Sequence, residues 1–305
     1  MGPPSYDKGS RFRELFEHPD EWKATRSLIN EILYPDQHFA QFSDEELKAW
    51  LAMMKQWNMR LGLDVGAVKD WGETAEKSLP VGRQYWDRIL RLGGRIDAMH
   101  MDEPLICARS YLHKSDEYAV EETAKFVAGV RKHYPEVLIG DIEPYPSVSL
   151  KDHIKWIDAL QKRLAEMGVR GLDFYEVDAN WMNFQIQHMG TWQEVKQLQS
   201  YCRGRKLPFS LIFWPASYPW FKNGTNLADD NTCYVSVMNQ GYEYAVFDPA
   251  SPSQFPELIP FKGGPDQYVI QSWEQCPSRS VPETGDFTFT RLVSDFVKKF
   301  VPRIP

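Results

Sequence analysis

The segment Val137–Pro146, VLIGDIEPYP, is a short apolar run that ends in acids and prolines. Three other segments repeat the design: Ile96–Pro104 (IDAMHMDEP), Gly171–Trp181 (GLDFYEVDANW) and Tyr268–Glu274 (YVIQSWE). Each stops at an acidic or aromatic tip, and helix-like stretches separate them. The runs are apolar almost throughout instead of alternating, which is how strands covered on both faces read. Strands of this kind, alternating with helices, specify a parallel sheet with chemistry at the strand ends.

The rest of the chain extends this rhythm. Strands are expected over 61–68, 95–102, 137–142, 169–177, 208–214 and 268–273. Helices are expected over 43–57, 80–92, 115–133, 149–167, 191–203, 229–244 and 286–300. Ser43 with Glu46, and Thr191 with Glu194, have capping-box spacing, and Gly93-Gly94 and Gly168 are natural helix stops. The 305 residues suit one α/β domain, residues 1–305, built as a (β/α)8 TIM barrel. A doubly wound open sheet would want a glycine-rich phosphate loop after its first strand, and the chain has none. Six strands are plain, and 27–33 reads as a seventh strand or a helical turn before Pro35. The opening MGPPSYDKGS is turn-like, so the expected barrel has an atypical or missing first strand.

Composition removes several function classes. The net charge is -7 and there is no basic stripe, which argues against nucleic acid. No apolar run approaches the length of a membrane span. The N-terminal stretch lacks the basic and apolar regions of a leader, and the cysteines at 107, 202, 233 and 276 lack metal-type spacing. They read as four free buried thiols in a reducing, cytoplasmic setting, with a secreted form left open if a leader has been removed. Asn223 begins a glycosylation sequon, to which little weight attaches.

Chemistry gathers at the strand tips. Asp102 and Glu103 precede Pro104, Asp141 and Glu143 lie two apart in GDIEP, and Glu176 and Asp178 repeat that spacing in YEVDANW. Residues two apart on a strand share a face, and polar ones are expected to face the lumen. His100 shares the face of Asp102 and reads as a hydrogen-bonded core residue. Cleaving a glycosidic bond takes two carboxyls, one donating a proton and one attacking or activating water, and crowding raises the pKa of the donor. Trp71, Trp181, Trp214, Trp220 and Trp273 follow strand ends, where indoles can stack on sugar rings. Tyr145, Tyr175 and Asn180 would add polar contacts. No zinc motif and no serine-hydrolase elbow is present, and neither metal nor cofactor is expected. A hard cation held by Asp102, Glu103, Asp141, Glu143 and Glu176 is the alternative.

Together the MDEP, GDIEP, YEVDANW and VIQSWE tips resemble glycoside-hydrolase-like (β/α)8 barrels of a poorly characterised bacterial group. The resemblance spans about residues 61–274 and implies a carbohydrate-active hydrolase acting on an oligosaccharide or smaller sugar. In the large retaining group of such barrels the acid/base closes strand four, a position that Glu103 matches. Their nucleophile closes strand seven, but here that strand ends Ile212-Phe213-Trp214-Pro215 without a carboxylate. The second acid is then sought among Glu143, Glu176, Asp178 and Glu274. The sugar contacts are sought among Asp102, Glu274 and the aromatic residues. A metal-dependent sugar isomerase, epimerase or lyase, and a non-catalytic sugar-binding barrel, are the rival readings.

Overall fold

The computed structural model describes residues 1–6, 9–215, 221–222, 225–226, 229–246 and 263–302. Trp220 and Asn223 lie outside the described residues. Seven strands form one parallel sheet in chain order: β1 (Glu31–Pro35), β2 (Arg60–Val65), β3 (Ala98–Asp102), β4 (Leu138–Tyr145), β5 (Phe174–Ala179), β6 (Phe209–Phe213) and β7 (Gln267–Ile270). Helices run between them, among them Asp44–Gln56, Ala75–Arg91, Asp116–His133, Leu150–Glu166, Trp192–Gly204, Asp230–Val246 and Phe289–Phe300. The sheet curls until its edges meet across the chain's opening segment. Gly2 pairs in parallel with Gln271, Gly2 N–H donates to Ile270 O at 2.8 Å, and Leu33 N–H donates to Met1 O at 2.8 Å. This segment is the strand the sequence conceals. Its ladder is so short, and Pro3 and Pro4 follow it so closely, that no strand pattern survives.

Local chemistry sets most element boundaries. Ser43 accepts from Glu46 N–H while Glu46 accepts from Ser43 N–H, so both halves of the capping box are present. The helix expected to begin at Pro80 starts at Ala75 instead. Its first N–H donates to Glu122 Oε2 at 3.0 Å, a cap supplied by helix Asp116–His133 and invisible in the local sequence. Outward-facing strand residues such as Leu61, Leu63, Met99, Met101 and Ile139 are fully or almost fully buried against the helix layer. The expectation of four free thiols is corrected. Cys233 and Cys276 form a disulfide between helix Asp230–Val246 and the segment after β7, whereas Cys107 and Cys202 are free and buried. A sequence separation of 43 carried no local signal of that pairing. Among the described residues no helix is long and apolar enough to cross a membrane.

Candidate active site at the barrel mouth

Strand parity decides which acids face the lumen. On β3, His100 and Asp102 point inward while Met99 and Met101 join the outer core. On β5, Glu176 and Asp178 point inward while Tyr175 and Val177 point out. The deeper inward tier is a hydrogen-bonded floor. His100 bridges Glu176 Oε1 at 3.2 Å and Glu31 Oε1 at 3.3 Å, and Ser210 Oγ donates to Glu176 Oε2 at 2.5 Å. Burial disfavours charge on His100, but the two carboxylates outweigh it and raise the imidazole to about 10. Burial likewise opposes ionisation of Glu31, yet His100 and Arg60 bring its pKa below the usual carboxylate value.

Above this floor opens a cavity of about 960 Å³. It takes one carboxyl each from the ends of β1, β2 and β5 and two from the end of β3: Asp36, Asp64, Asp178, Asp102 and Glu103, with Lys69 among them. Lys69 Nζ lies 2.5 Å from Asp102 Oδ2. Glu103 sits at the start of a short helix, Pro104–Ser110, in the left-handed region at φ 52° and ψ 49°. A non-glycine residue held there stores strain that its surroundings must maintain, a feature common at working sites. Burial, then the charge of Asp102, pushes the Glu103 carboxyl up to about 7, with Lys69 opposing. Burial and the charges of Glu103 and Asp102 push Asp178 well above the carboxylate range as well. Crowded carboxyls of this kind cannot all ionise at neutral pH, so the mouth retains a transferable proton.

Aromatic surface flanks these acids. Trp214 and Trp273 lie with ring centroids 4.7 Å apart at 35°, and both line the cavity. Trp71 lines it too and is half exposed, and Asn180 completes the wall beside Asp178.

The expectation that Glu103, Glu143 and Glu176 share one open cavity is corrected. Asp141 and Glu143 do share a face, but it is the helix-facing one. Trp156 Nε1–H donates to Asp141 Oδ2 at 2.6 Å. Leu105 and Ile106 N–H donate to the two Glu143 oxygens at 2.5 and 3.2 Å, so Glu143 caps the short helix behind Glu103. Ile142 and Pro144 take the lumen positions on β4. Glu176 faces inward, but it is completely buried in the floor. Tyr145 and Tyr175 also point outward, Tyr145 hydrogen-bonded to Glu194 and Tyr175 to His153 at 2.7 Å. Trp181 donates to Glu243 at 2.7 Å, and neither it nor Glu274 lines the cavity. The five-carboxylate cation site is not assembled, because Asp141 and Glu143 lie behind the strand. Among the described residues no group of three or more His, Cys, Asp or Glu side chains is arranged to hold a metal.

Asp36, Asp64, Lys69, His38 and Gln271 line the cavity without having been singled out from the sequence. Asp64 carried the available signal, an acid near the end of the apolar run LGLDVGAV.

No protein-family model matches the chain, and no curated protein does. Among solved structures it is similar to D-psicose 3-epimerase crystallised with D-fructose, at 10% identity and TM-score 0.47 over 97% of this chain and 95% of that one. It is also similar to a thermostable mutant xylanase from Cellvibrio japonicus, at 11% identity and TM-score 0.48 over 85% and 82% of the two chains. A third is an O-GlcNAc hydrolase mutant from Thermobaculum terrenum, at 11% identity and TM-score 0.49 over 99% and 59%. Likenesses this distant carry no argument about what the cavity does.

Proposed function

We propose that the protein is a carbohydrate-active hydrolase that cleaves a glycosidic bond at the barrel mouth. One observation carries this reading: the Glu103 carboxyl, raised to about 7, lines the same cavity as Asp178 and the Trp214–Trp273 pair. A donor with a pKa near neutrality is the one best able both to hold and to give up a proton. Glu103 protonates the leaving glycosidic oxygen. Asp178 is the second carboxyl. Burial and the charges of Glu103 and Asp102 favour its protonated form in the free protein. The active form is therefore the fraction in which Glu103 keeps its proton and Asp178 has lost its own, and that carboxylate attacks the sugar carbon or takes a proton from the attacking water. Asp178 replaces Glu143 and Glu176 in that role because its side chain reaches the cavity. Burial keeps Glu103 protonated, and the neighbouring charge of Asp102 adds to this against the opposing charge of Lys69, with which Asp102 is paired. The tryptophans offer apolar faces to sugar rings.

The test is Glu103→Gln. It should lower kcat/KM on the cognate oligosaccharide by about 10²- to 10⁴-fold, the usual worth of a positioned general acid, with the melting temperature retained. A fully active variant overturns the assignment.

A further inference from the structure

One wall of the cavity is built differently from the rest. Asp36, Asp64 and Gln271 stand at the ends of β1, β2 and β7, which the opening segment brings together. Gln271 is 6% exposed and lines the cavity, yet its Oε1 has no hydrogen-bond partner among the described residues. Its Nε2 reaches Asp64 Oδ2 at a long 3.4 Å, the one side-chain hydrogen bond Asp64 makes among the described residues. Asp36 uses one oxygen to accept from Trp86 Nε1–H at 2.8 Å. The wall therefore presents acceptors in excess of donors, and a buried acceptor left unmatched is costly unless a ligand completes it.

Its electrostatics have the same sign. Lys69 is engaged by Asp102 at 2.5 Å. His38, also in the wall, is driven toward its neutral form by burial. His100 lies beneath, held between Glu31 and Glu176. Burial raises Asp36 to about 7, and burial with the charge of Asp102 raises Asp64 well above the carboxylate range against the opposing charges of Lys69 and His100, so the nearby cations do not offset the cost of ionising either acid in the free protein. A group that donates several hydrogen bonds and carries positive charge satisfies both needs, and an ammonium with three N–H donors is such a group.

We infer that Asp36, Asp64 and Gln271 form a subsite for an ammonium group, so that the sugar bound here is a protonated amino sugar. The inference rests on the hydrolase reading for the sugar and on the wall itself for the charge.

Titration calorimetry on the Glu103→Gln variant tests it, with glucosamine, N-acetylglucosamine and glucose oligomers of equal length as probes. The glucosamine oligomer should bind at least about tenfold more tightly than either uncharged oligomer. Adding Asp64→Asn should remove that preference. Equal or weaker binding of the glucosamine oligomer, or a preference that survives Asp64→Asn, overturns the inference. So does Asp64-dependent binding of magnesium alone, which would make a metal the occupant. Wild-type cleavage of the glucose oligomer without any amino preference removes the subsite but leaves the hydrolase standing. Failure of the wild type to bind or cleave any of the three removes both.

Discussion

Strands β4 and β5 are hydrogen-bonded neighbours, and each carries two acids two residues apart near its C-terminal end. On β5 the pair points into the lumen, Glu176 in the floor and Asp178 in the cavity. On β4 the pair points into the helix layer, Asp141 to Trp156 and Glu143 to the N-terminus of helix Pro104–Ser110. The same motif faces the lumen on one strand and fastens the helix layer on the next. Alternation fixes that two such residues share a face, but the face depends on where the strand meets its neighbours. The β4 acids find buried donors behind the strand, so burying them there is tolerable.

Substitutions that remove these acids one at a time sharpen the contrast. The largest effect is expected inside the lumen. Asp178→Asn should lower kcat/KM by about 10³-fold, roughly 4 kcal/mol of barrier, while leaving the melting temperature equal or higher. A kinetically silent Asp178→Asn would break the comparison at its functional side. On the outer side, the disulfide is a fastening of another kind. It closes a separation of 43 residues, so reducing it should cost about 4 kcal/mol of unfolding free energy on loop-entropy grounds. Denaturant melts with and without reductant measure this, and the pH–rate profile should keep its shape. Glu143→Ala strips two N–H groups of their acceptor and should cost about 3 kcal/mol of stability. Its activity loss should track misplacement of Glu103, with the basic limb near pH 7, where the donor loses its proton, displaced but not abolished. Abolition of that limb would make Glu143 itself the proton donor.

The most gradual effect belongs to the floor. His100 is raised from its ordinary 6.5 to about 10 in the folded protein. The stability it contributes is therefore fully present below about pH 6.5 and is lost as pH rises toward 10. Glu31, lowered in the fold, acts oppositely and loses its contribution on acidification. Chemical denaturation between pH 6.5 and 10 should show a decline that His100→Gln flattens. A flat wild-type curve would contradict the imidazolium bridge.

The strand–helix alternation was legible because each buried strand is a nearly pure apolar run and several helices begin with a cap written in adjacent residues. The closing strand was not, since Met1 and Gly2 acquire strand character only from backbone partners in β1 and after β7. Glu103 could be read from MDEP because Pro104 ends the strand and leaves the acid at the tip. His100 could be read as a hydrogen-bonded interior residue. Glu143, Tyr145 and Tyr175 were misplaced for one shared reason, that parity relative to the lumen is a tertiary property. Asp36 and Gln271 were missed because they gain meaning only when β1 and β7 are brought side by side.

The central claim, that Glu103 is the proton donor, is tested most directly by leaving-group dependence. Single-turnover cleavage by Glu103→Gln should be compared on a dinitrophenyl glycoside and a methyl glycoside of the same sugar. A leaving group that departs without protonation should lose less than about tenfold, whereas the methyl glycoside should lose about 10³-fold or more. Equal losses on the two substrates would contradict the assignment.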